Sequence, residues 1–143
     1  MKTKTFLMML AAAAATMFAS CGKDDNPEKM IVGSWNETEC LYIFTQGGMC
    51  DTTSMFEAGE SIDMTYKADK TYTSVYHSTD GDSEDHGTWS VSDGKLTLTD
   101  EFGPMTYNID RLDASVLNLS HNEEGDDEDG HFSLDIVIRM TRK

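Results

Sequence analysis

Basic residues are scarce in this chain. Eleven lysines and arginines stand against 26 aspartates and glutamates, which gives a formal net charge of −15 at pH 7. Residues 1–20 hold two of the lysines and no acid, so the remainder of the chain is more negative still. Such a charge argues against binding to nucleic acid or to an anionic membrane face, because both repel an acidic protein. Cationic partners, metal ions included, are the class that the charge permits.

The motifs of the common enzyme classes are also missing. The sequence has no Gly-x-Ser-x-Gly, no phosphate-binding loop, no Cys-x-x-Cys, no His-Glu-x-x-His and no dinucleotide-binding glycine pattern. After residue 30 there is no helical apolar period longer than a turn or two. The sequence therefore predicts an all-β protein that is not an enzyme and needs no cofactor.

A long apolar run occurs only near the start, at residues 6–15. It follows Lys2 and Lys4 and is too short to cross a bilayer, which is typical of an export signal. The sequence Met-Phe-Ala-Ser-Cys, ending at Cys21, resembles the lipobox at which bacterial lipoproteins are cleaved and acylated. We therefore expect residues 1–20 to be a signal peptide and Cys21 to carry lipid that attaches the protein to the bacterial outer membrane. An ordinary secretory peptide with a free Cys21 is the alternative.

Residues 21–29 are polar and lack an apolar period, so we expect a flexible tether between the lipid and the folded domain. Asp24 and Asp25 soon follow Cys21, which resembles the surface-export signals of Bacteroidota lipoproteins. Periplasmic display and cell-surface display both stay open.

Two further cysteines, Cys40 and Cys50, form an even pair in a chain destined for an oxidising compartment. They predict a disulfide, which would contribute about 2–3 kcal/mol to stability for a loop of this size. Two free thiols are the alternative, because the distance between the Cα atoms cannot be read from the sequence.

From residue 62 onward, short runs alternate apolar with polar residues, as half-buried strands do. The clearest hairpin joins residues 86–92 and 95–100 through Asp93-Gly94, a pair suited to a type I′ turn. The longest run, residues 132–140, has five apolar positions at a period of two. Over residues 30–143 we count eight strands, which predicts one domain built as an up-and-down antiparallel barrel, an architecture without open edges. A two-sheet sandwich is the alternative.

The first strand, expected over residues 34–44, has an irregular pattern. Trp35 and Leu41 share one side of a regular strand with Glu37 and Glu39. Either two carboxylates face inward or a β-bulge changes the parity. We expect the bulge, because burying an unpaired carboxylate is costly.

Gly33 and Trp35, at the head of this strand, resemble the Gly-x-Trp signature of lipocalins. The resemblance covers about residues 31–142 and is to the lipocalin-like lipoproteins of Bacteroidota. It implies that Trp35 plugs the closed end of the barrel and that a basic residue, here Arg142, stacks on it. A frayed C-terminus is the alternative for Arg142.

In an up-and-down barrel, alternate connections share one rim. The longer loops that we expect on this rim carry many acids and lie at residues 45–61, 78–85, 100–103 and 122–130. Four histidines flank two of these loops, so the topology would bring them together: His77, His86, His121 and His131. Imidazoles beside carboxylates suit Zn²⁺, Cu²⁺ or Ni²⁺, whereas solvated histidines are the alternative.

These observations predict a lipid-anchored, non-enzymatic protein that binds a small apolar or amphiphilic molecule through the acidic mouth. The alternative is a barrel filled by its own side chains, which presents acidic loops to a cationic protein or surface partner, as an inhibitor would. An interior space that opens at the acidic rim would distinguish the first from the second.

Overall fold

A computed structural model describes residues 26–143 of the chain. The predicted signal peptide, Cys21 and the first residues of the predicted tether lie outside the described residues. Within the part that is described, no helix has the length and apolar character needed to cross a bilayer.

One short helix precedes nine strands. Helix α1 spans Pro27–Ile31. The strands are β1 Gly33–Gln46, β2 Met49–Ser54, β3 Ser61–Tyr66, β4 Thr71–Ser78, β5 Gly81–Ser92, β6 Lys95–Asp100, β7 Gly103–Leu112, β8 Val116–Asp127 and β9 Gly130–Arg142.

The strands close into an eight-stranded antiparallel barrel. Strands β1 and β3 to β9 pair in chain order, and β1 also pairs with β9, which closes the ring. Beyond its pairing with β3, β1 continues and pairs with β2. Strands β2 and β3 therefore lie on the same side of β1 and together take one of the eight strand positions in the barrel. Residues 55–60 separate them. The predicted barrel is confirmed, and the sandwich is not the fold.

A β-bulge lies in β1, between Glu37 and Glu39 in its register with β9. Thr38 is the extra residue, so the side that faces the interior changes there. Trp35 and Glu37 face inward before the bulge, and Cys40 faces inward after it. The predicted bulge is present, yet it removes only Glu39 from the interior and leaves Glu37 buried.

The predicted rim loops are largely strand, and that part of the prediction is wrong. Residues 45–61 contain the end of β1, a turn at Gly47-Gly48 and all of β2, and they contain no helical turn. Both glycines have positive φ, 58° and 82°, which suits the tight turn. Likewise, β4 and β5 leave only residues 79–80 as a turn, and β8 and β9 leave only residues 128–129.

The end of the barrel opposite these hairpins is filled by side chains. Large residues of five strands are fully buried there: Trp35, Tyr66, Leu96, Leu117, Leu119 and Met140. Each buried side chain of this size stabilises the fold by roughly 1.5–3 kcal/mol.

Helix α1 covers this closed end. Asn26 caps it, and the side-chain oxygen of Asn26 accepts a 3.0 Å hydrogen bond from the Glu28 amide. Ile31 is fully buried, and its carbonyl accepts a 2.8 Å hydrogen bond from the Trp35 indole. The helix occupies residues 27–29 of the predicted tether, so the tether must end earlier than the sequence indicated.

Candidate ligand-binding site

The interior of the barrel is open to solvent at the hairpin end. Phe44 faces inward, opposite Leu134, yet 40% of it is exposed. Met105 also faces inward, opposite Leu98, and 37% of it is exposed. We call this open part of the interior the cup, and its wall includes Tyr42, Phe44, Tyr76, Met105, Tyr107 and Phe132.

The wall of the cup combines aromatic with polar side chains, since Ser83 lies opposite Tyr76 and Glu123 opposite Leu134. The rings of Phe44 and Phe132 stack with their centroids 6.0 Å apart. At the mouth, beside β2, lies a pocket of about 410 Å³ that is lined by Phe44, Gln46, Met49, Cys50 and Asp51. An apolar surface that stays open to water, with a few polar groups beside it, is suited to hold a small molecule.

A carboxyl group lies buried beneath the cup. Glu37 is only 5% exposed, and burial raises its pKa to about 7, against the opposing effect of a hydrogen bond with the Cys40 thiol. Burial and the neighbouring Glu37 raise the pKa of Cys40 to about 12. The sequence prediction missed this pair. The sequence did contain a sign of this burial, because Trp35 and Glu37 lie on the same side of a regular strand. The bulge at Thr38 follows both residues and therefore leaves both facing inward.

Three tyrosine hydroxyls near Glu37 have weak hydrogen-bond partners or none. Tyr66 is 1% exposed, and its hydroxyl has no partner among the described residues. The Tyr107 hydroxyl donates to the sulfur of Met105 at 3.0 Å, and the Tyr42 hydroxyl lies 4.0 Å from the sulfur of Met55. A thioether is a weak acceptor, so these hydroxyls keep capacity for a ligand.

Burial is the largest cause that raises the pKa of Tyr42, Tyr66 and Tyr107, and for all three the charge of Glu37 adds to it. The three hydroxyls therefore stay neutral at ordinary pH, where each can both donate and accept a hydrogen bond.

At the closed end, the structure brings Gly33, Trp35 and Arg142 together. The guanidinium of Arg142 lies 4.2 Å from the centroid of the Trp35 ring and donates to the carbonyls of Val32, at 3.1 Å, and Met30. Gly33 has a φ of 137°, and a Cβ there would collide with Arg142 Nη1. This cluster seals the barrel and is not part of the cup.

The predicted disulfide between Cys40 and Cys50 is not formed, and both thiols are free. Cys50 lies opposite Thr45, five residues along β1 from Cys40. At about 3.4 Å per residue, this separation is roughly 17 Å, far beyond the 7 Å that a disulfide can bridge. Cys40 is buried under the cup, whereas Cys50 is exposed on β2.

The four histidines do not come together. His77, His86 and His131 lie on the outer face of three strands, because the residues adjacent to each of them face inward. His121 faces inward, because it lies opposite the inward-facing Ile136. Within residues 26–143 there is no group of three or more His, Cys, Asp or Glu side chains that could hold a metal ion. The predicted histidine site is therefore wrong.

The histidines instead make local contacts. His77 contacts Asp82 and Asp63, both at 3.0 Å, and these two carboxylates raise its pKa. Nδ1 of His121 is 2.8 Å from the Thr106 carbonyl oxygen.

This chain is similar to a known domain family and to two solved structures. The lipocalin-like domain family matches residues 31–123. No curated protein matches the chain. A lipocalin-like protein from Bacteroides uniformis has a similar solved structure, at 14% sequence identity and a TM-score of 0.45, over 80% of this chain and 98% of that one.

An uncharacterized protein from Bacteroides eggerthii is similar at 10% identity and a TM-score of 0.48, over 78% of this chain and 98% of that one. The match to the family extends over more than half of the chain and runs from the last residue of α1 into β8. The chain therefore belongs to the lipocalin-like domain family.

Proposed function

We propose that this protein is a lipid-anchored, non-enzymatic binding protein that takes a small amphiphilic molecule into the cup. The observation that carries the proposal is the partial exposure of aromatic and thioether side chains that face the interior, Phe44 and Met105 among them. Side chains of this kind are normally buried, and a ligand in the cup would remove them from water. Lipocalin-like proteins are in general a non-enzymatic binding fold.

Mass spectrometry of the protein extracted natively from its membrane tests ligand binding. We expect a small molecule to co-purify with the wild-type chain and to be lost from Phe44→Glu, which places a charge on the wall of the cup. Phe102→Glu is the matched control, because Phe102 is 89% exposed in the turn between β6 and β7 and lies outside the cup. Equal retention of the molecule by both variants would place the ligand elsewhere.

Lipid attachment at Cys21 is the second part of the proposal, and the lipobox-like sequence ending at Cys21 supports it. Several acyl chains on one residue would hold the protein in the outer membrane, since each buried CH₂ contributes about 0.8 kcal/mol. Cys21→Ala should abolish palmitate labelling and move the protein out of the membrane fraction. Unchanged labelling in this variant would end the proposal of an anchor at Cys21.

A second candidate is an interaction module for a cationic protein partner. It is favoured by two large apolar side chains at the acidic rim, Phe102 at 89% exposure and Met49 at 77%. Chemical cross-linking in intact cells would test it. A cross-linked partner that is lost in Phe102→Ser but kept in Phe44→Glu would favour this function over small-molecule binding.

A further inference from the structure

We propose that Glu37 is the polar anchor of the cup and that the ligand is a cationic amphiphile, an apolar chain or ring that ends in an amine. This inference rests on the proposed function, because it assigns a ligand class to the same cup. It concerns the only buried charged side chain found in residues 26–143.

Glu37 forms no ion pair with any of the described residues. The titratable groups coupled to its charge are Cys40 and Tyr42 on its own strand, Tyr66 on β3 and Tyr107 on β7, and all four are neutral acids. His121 on β8 also faces the interior, where its ring lies against Tyr107 with the centroids 5.9 Å apart. No basic side chain in the described part of the chain contributes to the pKa of Glu37. A buried carboxylate is normally paired, so a cation supplied by a ligand would complete the site.

The surroundings of Glu37 fit an ammonium group. A primary ammonium has three N–H donors and no acceptor. The Glu37 carboxylate can accept one of them, and the hydroxyl oxygens of Tyr42, Tyr66 and Tyr107 can accept the others. Among residues 26–143, two of these hydroxyls have only a thioether for a partner and the third has none, so the ligand displaces no strong hydrogen bond there.

The charge of the mouth selects in the same direction. Asp51 lines the pocket at the rim, and the exposed Glu123 lies opposite Leu134, which faces inward. With the net charge of −15, these carboxylates attract cations to the mouth and repel fatty acids and other anionic amphiphiles.

Binding of three probes that share one alkyl chain tests the inference: octylamine, 1-octanol and octanoate. Their dissociation constants are measured calorimetrically at pH 8.5 on the full chain carrying Cys21→Ala, so that anchor acyl chains do not compete for the cup. We expect octylamine to bind tightest of the three. Glu37→Gln should weaken octylamine by about 10- to 100-fold, the usual effect of losing a charge-assisted hydrogen bond, and leave 1-octanol unchanged.

Glu123→Gln is the matched control, because it removes the same charge from the mouth. It should weaken octylamine by less than about fivefold, as expected for an exposed charge. If octanol or octanoate binds as well as octylamine, or if Glu37→Gln changes nothing, the inference fails while ligand binding in the cup stands. If none of the three probes binds, ligand binding in the cup fails, and the inference fails with it.

The pH dependence gives an independent readout. Glu37, with a pKa of about 7, is mostly neutral at pH 5.5 and ionised at pH 8.5, whereas an alkylamine, like lysine, stays protonated at both. The four facing acids stay neutral throughout this range, because burial raises the pKa of each. Both chains in this comparison carry His121→Gln, so that the inward imidazole beside Tyr107 does not contribute. Octylamine should therefore bind more weakly at pH 5.5 in the wild type and equally at both pH values in Glu37→Gln. A pH effect of the same size in the variant would overturn the assignment.

Discussion

A carboxyl group sits where the barrel would otherwise place an aliphatic side chain. Glu37 lies beside Met140 of β9 and Ile62 of β3 in the register, and both neighbours belong to the apolar interior. Below its pKa of about 7 the group is neutral, and the Cys40 thiol gives it a hydrogen bond. Above that pH the Glu37 carboxylate is negatively charged and has no cationic partner among the described residues in the barrel without ligand. A buried charge of this kind is costly and is typical of functional sites.

Glu37→Gln should therefore change stability in a pH-dependent way. The folded-state pKa lies above the ordinary value of 4.5, so the wild type loses stability as pH rises from 4.5 to about 7, because only the unfolded chain ionises freely. The variant should match the wild type at pH 4 and exceed it by up to about 3 kcal/mol at pH 8. Urea unfolding of both chains without ligand measures this difference. A constant difference across the pH range would contradict the assigned burial.

The two thiols of the barrel should differ sharply in reactivity. Cys50 is exposed, whereas Cys40 is buried with its pKa raised to about 12, so little of it is thiolate. In the Cys21→Ala chain, iodoacetamide should label one cysteine under native conditions and two in urea, with no need for reductant. Mass spectrometry locates the labels. Protection of both cysteines until a reductant is added would restore the disulfide.

At the scale of elements, the closed end depends on contacts between the two ends of the barrel sequence. Arg142, at the end of β9, reaches across Trp35 of β1 to carbonyls at the end of α1 and just beyond it. The helix is only five residues long and would not be stable alone, so these contacts hold it against the barrel.

Arg142→Ala should destabilise the protein by about 2–3 kcal/mol, through loss of the cation–π contact and of two charge-assisted hydrogen bonds. Arg111→Ala is the control, because Arg111 pairs with Asp113 on the exposed surface and should contribute about 0–1 kcal/mol. Thermal unfolding followed by circular dichroism measures both. Equal losses in the two variants would show that Arg142 contributes no more than a surface charge.

Strands with one wet and one dry face were predictable. In β9 the five apolar residues at a period of two all face the interior, and in the β5–β6 hairpin Trp89 pairs with Leu98 as the Asp93-Gly94 turn requires. One-sided burial forces alternation into the sequence, so these strands could be predicted without any homologue, whereas alternation alone does not distinguish a barrel from a two-sheet sandwich.

The hairpin ends were not predictable from that signal. Residues 81–85 and 122–127 form strands, yet they project past the filled core and are wet on both faces, so the sequence places Asp, Glu and Ser on either side. Such strands are specified by their turns and by backbone pairing, which leave no apolar period. The role of Glu37 was missed for a related reason. The cup lies where the interior becomes wet, and a carboxylate in an irregular strand was expected to face outward.

At the scale of the whole molecule, the excess of acids should oppose compact folding. The net charge is −15, and many of the acids lie on the hairpins around one mouth. Repulsion among like charges destabilises a folded protein. Salt weakens this repulsion, and at 0.1 M it largely screens exposed charges that lie more than about 10 Å apart.

Raising NaCl from 10 to 200 mM should therefore raise the melting temperature of the Cys21→Ala chain at pH 8. Sucrose of equal osmolality is the control for effects that do not depend on charge. Differential scanning calorimetry measures the shift. A melting temperature that falls in salt would mean that exposed ion pairs such as Arg139 with Glu39 outweigh the repulsion.

The position of α1 shows at which end of the barrel the described chain begins. The helix lies under the closed end, and β1 runs from there to the rim of the cup, so the described part of the chain begins at the pole opposite the mouth. An anchor at the proposed lipidation site, Cys21, would be attached through the end of the domain that is farther from the cup. A protein held in this way would collect its cargo from the surrounding fluid or from another protein, and not directly out of its own membrane.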